Sequence, residues 1–422
     1  MPAVPTLERT ASGAGSVLAL DGYRRLLISA AAVVLGVMGQ AVARGWVARD
    51  LTGTNAGIGG VLLVFGIALL LATPWGGVAA DRFPKRTVLL ISVGALTVSS
   101  LLLGLVVLAD VVAYWQLLVA GAIQATAFAF YLPARIAFIT ELVAAEQIGA
   151  AVVLSQTAQE AGRVVGPAAA GVLIGVSWCG TSGIFFLAGG VMFAAGLVLF
   201  GLPPGSPRHR VEVRSPVAEL VDGFRYVRSH ASIGLIAVTT IAVVVFGFPY
   251  LAFLPALADD RFAVGAGGYG IMSGAAGLGA VVAGLLAPRV RWIAARPWAV
   301  IAISGAALGV ALAALGVAES YPVALVVLAV VGAAALVFQT TSQSLLLSLS
   351  DLEYHGRLQS LVVLGFSGFG LAALPLGLLA DAWSLRAVLV AMGGVVIAVS
   401  AVFAVVRRGQ RRVRLDHAGE VV

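Results

Sequence analysis

Ionisable side chains inside the apolar runs of this sequence are the first candidates for chemistry. The chain has 19 carboxylates, and all but Glu160 stand in polar segments or at the ends of apolar runs. Glu160 falls roughly 20 Å into a helical run, and Arg163 follows three residues later on the same helix face. A charge at that depth is costly. Glu160 therefore either couples protons or binds solute, or it forms a neutralised pair with Arg163 that fixes helix contacts.

Amide and guanidinium side chains form a second polar group inside the apolar runs. A solute cavity needs such groups to orient its ligand, but Gln in membrane helices also serves as an interhelical hydrogen-bonding residue. Both interpretations stay open for this group. It comprises Gln40, Arg44, Gln124, Gln156, Gln159, Gln339 and Gln343.

Motifs for several other chemistries are missing from the sequence. A nucleotide-binding P-loop needs Gly directly before its Lys, whereas the only lysine, Lys85, follows Pro84. No catalytic groups cluster, and the four histidines stand far apart without metal-ligand spacing. The single cysteine, Cys179, excludes an intramolecular disulfide. We therefore expect no enzyme activity, no catalytic residues, no metal and no cofactor.

Composition places these residues in a lipid bilayer. Hydrophobic residues make up 60% of the chain and charged residues only 11%, against about 25% in a soluble protein. A spanning helix needs about 20 apolar residues, and the lack of period-two alternation favours helices over a membrane β-barrel. We predict an all-α membrane protein with twelve spans. They are 25–47, 56–79, 87–109, 112–140, 147–176, 181–202, 231–257, 266–287, 297–318, 321–348, 357–380 and 385–406.

The basic residues predict the orientation of these spans. An even number of spans puts both termini on one side, and twenty of the 26 Lys and Arg residues then fall on that side. Only four fall at the opposite ends of spans. Cytoplasmic loops carry such an excess, so we predict that both termini are cytoplasmic. The net charge of +7 then reflects orientation and anionic lipid rather than a nucleic-acid partner.

Repeated features predict two related six-span halves. Three sequence features recur at equivalent spans with offsets of about 210 residues, as in transporters with parallel repeats. The pairs are Gly57-x-Gly59 with Gly268-x-Gly270, Gly77 with Gly284, and Pro167 with Pro375. The predicted division is an N-terminal cytoplasmic tail (1–24), an N-terminal half (25–202), a cytoplasmic linker (203–230), a C-terminal half (231–406) and a basic cytoplasmic C-terminal tail (407–422).

Two polar segments need separate interpretation. Residues 1–20 lack an apolar core long enough for a secretory signal, so we expect the first span to be retained. In the linker, Ser215-Pro216 can begin a helix, and apolar and charged residues then alternate at helical spacing. This pattern favours an amphipathic helix on the inner membrane surface, with a solvated linker helix as the alternative. The apolar positions are Val217, Leu220, Val221, Phe224 and Val227.

The loop after the second span concentrates charge. It holds Gly77, Asp81, Arg82, Lys85 and Arg86. Positive-inside orientation accounts for the three basic residues, but acidic residues contribute little to orientation. Asp81, and Gly77 one helical turn earlier, therefore indicate a gate, with a simple membrane anchor as the alternative.

The fifth span carries small residues at helical spacing. Gly162, Gly166 and Ala170 recur every four residues and allow close helix approach. Pro167 removes one backbone hydrogen bond, and Gly171 continues the small-residue run. Close packing alone would explain this pattern. The sharper hypothesis is a pliable helix at the contact between moving halves.

Both segments resemble motifs of the major facilitator superfamily. Residues 77–86 are similar to its signature loop, Gly-x-x-x-Asp-Arg-x-Gly-Arg-Lys/Arg, with Pro84 for the second Gly. Residues 162–171 resemble its antiporter motif on the fifth helix, with Ala170 for one Gly. The segment 121–125 lacks the Arg that many proton-coupled drug exporters carry on the fourth helix. The resemblance covers roughly residues 20–406. Stretches 130–135, 268–271 and 356–360 also resemble the branch with the enterobactin exporter and macrolide efflux proteins.

This resemblance implies a function and a mechanism. We expect a monomeric, proton-driven exporter of small amphipathic molecules in a bacterial cytoplasmic membrane, acting in multidrug resistance or siderophore export. Its partners would be the small-molecule substrate, protons and lipid. The two halves would rock around a central site, with an importer of the same fold and a non-transporting membrane receptor as alternatives.

The resemblance also implies a cytoplasmic gate. Asp81 would face the positively charged start of the eleventh span, near Arg357. One of the basic residues Arg82, Lys85 and Arg86 would pair with Glu141 at the end of the fourth span. These contacts would hold the cytoplasmic end shut and would break when it opens.

Overall fold

Helices account for the regular structure of this chain. The computed structural model describes residues 14–176, 179–206, 216–350 and 355–419, and these ranges contain no β-strand. A short helix, α1 (Ala14–Leu18), precedes the first long one. Six long helices follow: α2 (Asp21–Thr52), α3 (Asn55–Arg82), α4 (Lys85–Leu108), α5 (Tyr114–Leu142), α6 (Ile148–Ile174) and α7 (Gly180–Phe200).

Tight turns separate these helices. Gly53, with φ of 66°, ends α2 in the left-handed conformation that glycine adopts without steric cost. The hydroxyl of Thr54 then accepts a hydrogen bond from the backbone N–H of Gly57 at 3.1 Å and caps α3. Consecutive long helices therefore run in opposite directions. We call the side where α2 begins the terminal side and the side where it ends the far side.

The linker helix and the second set of helices complete the fold. Pro216 is the first residue of α8, as predicted from the sequence. The helices are α8 (Pro216–Ser229), α9 (Ala231–Gly247), α10 (Tyr250–Ala256), α11 (Gly265–Leu286), α12 (Arg291–Ala295), α13 (Pro297–Val317), α14 (Tyr321–Ser348), α15 (His355–Ala382) and α16 (Leu385–Gly419).

Two of the predicted spans differ from the observed helices. The span predicted at 231–257 is interrupted, because Pro249 has no N–H to continue α9. The chain resumes as α10 and a π-helical turn at Leu257–Arg261. The last span does not end at 406, because the arginine-rich segment that follows favours helix and continues α16. On the linker helix, Phe224 is exposed whereas Val227 is buried, so only part of its predicted apolar face is covered.

Ten helical segments within the described residues are long and apolar enough to cross a membrane. They include the α9–α10 segment as one span. With α6 and α15, of 27 and 28 residues, they make twelve long segments in two six-helix halves. The first half comprises α2 to α7, and the second comprises α9 to α16.

The long helices pack side by side in a closed ring. The order around it is α3, α5, α4, α7, α2, α6, then α11, α14, α13, α16, α9, α15 and back to α3. The halves therefore join along two seams, α3 against α15 and α6 against α11. A smaller contact of α2 with α5 crosses the ring inside the first half. This α2–α5 contact separates α4 and α7 from the helices of the second half.

The apolar core shows where the halves are continuous. Far-side residues of α2, α3, α5, α6 and α7 belong to one buried cluster with the second half. The terminal-side residues of the first half form a separate cluster, which contains no residue of the second half. Within the described chain, the halves thus share a core on the far side only.

Candidate functional site

The charged loop after α3 lies at the terminal side. Asp81 is half-buried at the end of α3, and among the described residues no hydrogen bond or ion pair joins it to another group. A Cβ atom placed on Gly77 would meet nothing within 4 Å. The side chain of Arg357, the predicted neighbour of Asp81, lies outside the described residues. The predicted approach of Asp81 to α15 therefore stays a prediction.

The predicted pairing of Glu141 is found, and Lys85 is its partner. The ammonium of Lys85 is buried at the start of α4, and its Nζ lies 3.0 Å from Oε1 of Glu141. The same Nζ donates to the carbonyl of Ser206, while the N–H of Ser206 donates to Oε2 of Glu141 at 3.0 Å. This group ties the ends of α4 and α5 to the start of the linker. It joins parts of one half rather than the two halves.

The other two basic residues of the loop have different roles. Arg82 is exposed. Arg86 donates to the carbonyl of Leu202 at 2.6 Å, and its N–H donates to the carbonyl of Pro204 at 3.2 Å. Arg86 thus holds the chain just after α7.

A carboxylate joins the halves at the far side. Asp381, near the end of α15, accepts hydrogen bonds from the N–H and Nδ2 of Asn55 at 2.9 and 2.8 Å. Its second oxygen accepts the N–H of Ala56 at 2.8 Å. These N–H groups are the free donors at the start of α3, where the helix dipole favours an anion. Asp381 therefore caps a helix of the opposite half.

Further far-side contacts reinforce this closure. Arg49, at the end of α2, forms an ion pair with Asp260 in the π-helical turn after α10. Tyr269 on α11 stacks on Trp46 with ring centroids 5.7 Å apart, and its hydroxyl donates to the carbonyl of Val42 at 3.4 Å. Each of these contacts links the first half to the second.

Glycines allow the seams to approach closely. A Cβ on Gly59 would lie 2.6 Å from the carbonyl oxygen of Ala373, and one on Gly66 would lie 2.7 Å from that of Ser367. Real Cβ atoms do not come so close to backbone. Gly66 is about 16 Å along α3 from its far-side start. Backbone-to-backbone contact therefore reaches to about the middle of α3.

The antiporter-like segment of α6 serves two contacts. Gly162 and Gly166 face α2 within the first half, where a Cβ on Gly166 would lie 2.8 Å from the carbonyl oxygen of Leu35. Gly171 instead abuts Gly270 on α11, across the second seam. Pro167 lies within α6. The predicted contact between halves thus involves the far-side end of the motif only.

The candidate glutamines of the first half, together with Arg44, form two groups. Arg44, which is 6% exposed, donates to Oε1 of Gln124, and Gln40 is buried one helical turn away. Deeper toward the terminal side, Nε2 of Gln159 donates to Oε1 of Gln156 at 2.6 Å. The side chain of Glu160 lies outside the described residues, so its role and its pairing with Arg163 stay predictions.

The two candidate amides of the second half stand apart from these groups. Gln339 and Gln343 are half-buried one turn apart on α14. They belong to the opposite side of the ring from Arg44 and Gln124.

Sequence reasoning missed the far-side contacts and one buried group. The sequence identifies Asp381, Asp260 and Arg49 only as charges at the ends of apolar runs. Their location at far-side ends of predicted spans was the available signal. Also missed was the buried guanidinium of Arg135, which donates to the hydroxyl of Ser155 at 3.2 Å.

Comparison with known proteins identifies the family. The profile described as Major Facilitator Superfamily matches residues 26–373. The chain belongs to the Major Facilitator Superfamily. This is a family of transporters and not a class of enzymes, so the chain is a multi-pass membrane transporter. The chain is also 30% identical over 145 residues to the uncharacterized MFS-type transporter YfiS of Bacillus subtilis (strain 168). That alignment spans about a third of each protein, 34% of this chain and 33% of YfiS.

Several solved transporter structures share this fold, and each aligns with nearly the whole of this chain. The nucleoside transporter NupG has a TM-score of 0.68 at 14% identity, covering 91% of this chain and 98% of that one. A POT family transporter in complex with a thioalcohol-conjugated peptide has a TM-score of 0.72 at 12% identity, covering 92% and 96%. A bacterial homologue of the human lysosomal transporter Spinster has a TM-score of 0.65 at 14% identity, covering 92% and 97%. At these identities the likeness concerns the fold.

Proposed function

We propose that this transporter is a proton-driven exporter that moves small amphipathic molecules, drug-like or siderophore-like, by alternating access. One observation carries the mechanism: the halves share a core and backbone contacts on the far side, whereas the terminal-side core belongs to the first half alone. Such an arrangement corresponds to one end state of a rocking motion between two halves. The opposite end state would close the terminal side.

The direction of transport rests on sequence. The stretch from Gly162 to Gly171 resembles the antiporter motif, and its last glycine packs on Gly270 at a seam between the halves. The resemblance to the enterobactin and macrolide exporter branch also favours export. Glu160 is proposed as the proton-coupling group because it is the only carboxylate deep inside a predicted span.

The gate proposal adds the terminal-side closure. Asp81 would move against the start of α15 near Arg357 when the terminal side closes, since a helix N-terminus attracts a carboxylate. The group of Lys85 and Glu141 would keep the ends of α4 and α5 rigid during that motion. In this proposal the halves are 25–202 and 231–406, joined by a linker at 203–230.

Location and assembly complete the proposal. The terminal side is cytoplasmic because most basic residues outside the spans lie there. The protein would act as a monomer in a bacterial cytoplasmic membrane, with residues 1–24 and 407–422 as cytoplasmic tails.

Transport into everted membrane vesicles tests this function. Vesicles with the wild-type protein should accumulate an amphipathic fluorescent dye such as the carboxylate pyrenebutyrate only when an inward-acid proton gradient is applied, and vesicles without the protein should not. Collapse of the gradient with a protonophore should release the dye. Accumulation that needs no gradient, or uptake only into right-side-out vesicles, would contradict the proposed exporter.

A variant separates coupling from transport. Glu160→Gln should abolish the dependence of dye accumulation on the proton gradient while membrane insertion stays normal. Glu146→Gln serves as a matched control, because it removes an exposed carboxylate just before the same helix and should leave the gradient dependence unchanged. Full gradient dependence in Glu160→Gln would remove Glu160 from the coupling role.

A further inference from the structure

Arg44 is a buried cation whose described partner is neutral. Its guanidinium donates to Oε1 of Gln124, and Nε2 of Gln124 donates to the carbonyl of Val37 at 3.4 Å. A guanidinium has only donors and remains protonated in proteins, so it must face the amide oxygen. Both ends of the Gln124 amide are thus engaged. The amide carries no charge, and the positive charge of Arg44 remains uncompensated by it.

Carboxylates of the described residues lie elsewhere. Their ion pairs engage Arg24, Arg49, Lys85 and Arg225, and none engages Arg44. Glu160 belongs to a different level of the fold. Its near neighbour Gly162 opposes Val34 on α2, which is about 15 Å along the helix axis from Arg44.

The surroundings of Arg44 suit a ligand with one charged end. The α2–α5 contact in which it lies stands between the outer helices α4 and α7 and the rest of the ring. Gln40 adds a second buried amide one turn away on the same helix face. Gly121, opposite the guanidinium, leaves space beside it, and a Cβ there would lie 3.8 Å from Nη1. Val61 and neighbouring apolar side chains form the rest of this region.

The height of Arg44 in the fold also fits a substrate site. Val42 and Trp46, on either side of it in sequence, contact Tyr269 of the other half. Arg44 itself points to α5 rather than to α11. A ligand bound to Arg44 would therefore lie directly beneath contacts that must break when the far side opens.

We propose that Arg44, Gln40 and Gln124 form the charged end of the substrate site, and that the transported class is an amphipathic organic anion with a carboxylate or phosphate group. A cation inside a membrane protein is costly unless it is paired or functional. An anionic ligand would compensate the charge through bidentate hydrogen bonds to the guanidinium. The inference rests on the proposed transport function but names a substrate charge which that function leaves open.

Binding to the purified full-length protein in detergent tests this site. Matched probe pairs compare an anion with a neutral compound of the same ring system: naphthoate with naphthamide, salicylate with salicylamide, and naphthyl phosphate with naphthol. In the wild type we expect at least one anion to bind about tenfold or more tightly than its neutral partner, since ionised hydrogen bonds are the strong ones. The readout is titration of tryptophan fluorescence together with the shift of the thermal unfolding midpoint.

Three variants and a control distinguish binding from helix packing. Arg44→Gln should reduce the preference for the anion to about one, and Arg44→Lys should retain part of it because the charge remains. Gln124→Glu should also abolish the preference, because an internal carboxylate would compete with the ligand for Arg44. Arg24→Gln removes an exposed charge from the same helix and should leave the preference unchanged.

The outcomes are exclusive. A purely structural link between α2 and α5 predicts that Gln124→Glu raises thermal stability and leaves ligand preference as it was. That result would overturn the proposal. So would equal binding of neutral and anionic probes by the wild type, no binding of any probe, or a preference that survives Arg44→Gln. Because this measurement needs no gradient and no vesicle, its failure would leave the exporter proposal standing. Failure of dye transport would likewise leave the anion site standing.

Discussion

The two ends of α3 differ in how they meet the second half of the protein. At the far side, Gly59 and Gly66 press against the backbone of α15, and Asp381 caps the first residues of the helix. At the terminal side, Gly77 faces open space, and no described group binds Asp81. Both ends carry the residue types for close approach and for capping. Among the described residues, contacts of these kinds with the second half are found at the far-side end.

This difference supports the proposed gate at the signature loop. Among the described residues, no group engages its glycine or its carboxylate, whereas its basic residues Lys85 and Arg86 are engaged within their own half. A rigid first half with an unoccupied docking surface suits rocking motion between two states. In the gate proposal, the loop has a permanent part, Lys85 and Arg86, and a part that would be engaged only in the other state, Gly77 and Asp81.

The largest effect on stability should come from the permanent part. Glu141→Gln would leave the buried ammonium of Lys85 without its counter-charge, and we expect a loss of about 2–3 kcal/mol, below the value for a fully buried pair because Glu141 is partly exposed. The thermal unfolding midpoint in detergent measures this loss. The double variant with Lys85→Met should lose less than Glu141→Gln alone. A loss in the double variant equal to the sum of the two single losses would indicate that the two charges act independently.

Matched glycine substitutions compare the two ends directly. Gly66→Ala should destabilise the observed state by about 1–3 kcal/mol, because its Cβ would collide with the backbone of α15. Gly77→Ala should keep or raise thermal stability, since Ala favours helix by about 0.5–1 kcal/mol. It should nevertheless slow transport, because closure of the terminal side would bring Gly77 against α15. Equal thermal effects of the two variants would refute the difference between the ends.

The far-side cap should have a moderate effect. Asp381→Asn removes the charge that accepts three hydrogen bonds at the start of α3, and we expect about 1 kcal/mol of lost far-side closure. Labelling of a cysteine introduced at Ile58, which is buried in the far-side core that the halves share, by a membrane-impermeant maleimide should become faster. An unchanged labelling rate would show that the cap does not hold this side shut.

The smallest effect on stability should come from the unused carboxylate. Asp81→Asn should change the free energy of unfolding by less than about 0.5 kcal/mol, because no described partner is lost. Transport should fall while membrane insertion stays normal, since the terminal-side closure loses its charge. Full transport activity in Asp81→Asn would remove Asp81 from the gate.

Much of the fold follows from local properties of the sequence. Apolar length predicts every long helix, and the proline and glycine at the boundaries predict helix starts such as that of α8. Two boundaries depended on more than hydropathy. The predicted span 25–47 ends three residues after Arg44, whereas α2 continues to Thr52 and buries that residue. The break at Pro249 was also missed, because an apolar run that contains proline still reads as one span.

The candidate site was only partly predictable, for a physical reason. Lys85 and Glu141 belong to adjacent helix ends, so short loops nearly determine their meeting. Asp381 and Asn55 are 326 residues apart in sequence and meet only because the halves close on the far side. That closure depends on conformational state, which composition and spacing do not encode. The pairing of Arg44 with Gln124 likewise depends on the rotation of α2 against α5.

A variant without the native cysteine allows pairs of labelled cysteines to be introduced. Cys179 is buried, and burial raises the pKa of its thiol, so it reacts slowly and can be replaced by Ser. Exposed positions exist at both ends of the bundle. Thr54 and Trp383 lie on the far side in opposite halves, and Phe83 and Arg289 lie on the terminal side in opposite halves.

Spin-label distances at these two pairs test the central claim that the halves close alternately on the two sides. In the absence of a proton gradient, the Thr54–Trp383 pair should give a short distance and the Phe83–Arg289 pair a long one. Addition of a transported dye together with low pH should lengthen the first distance and shorten the second within the same population. Distances that stay fixed, or that lengthen or shorten together, would contradict alternating access around this site.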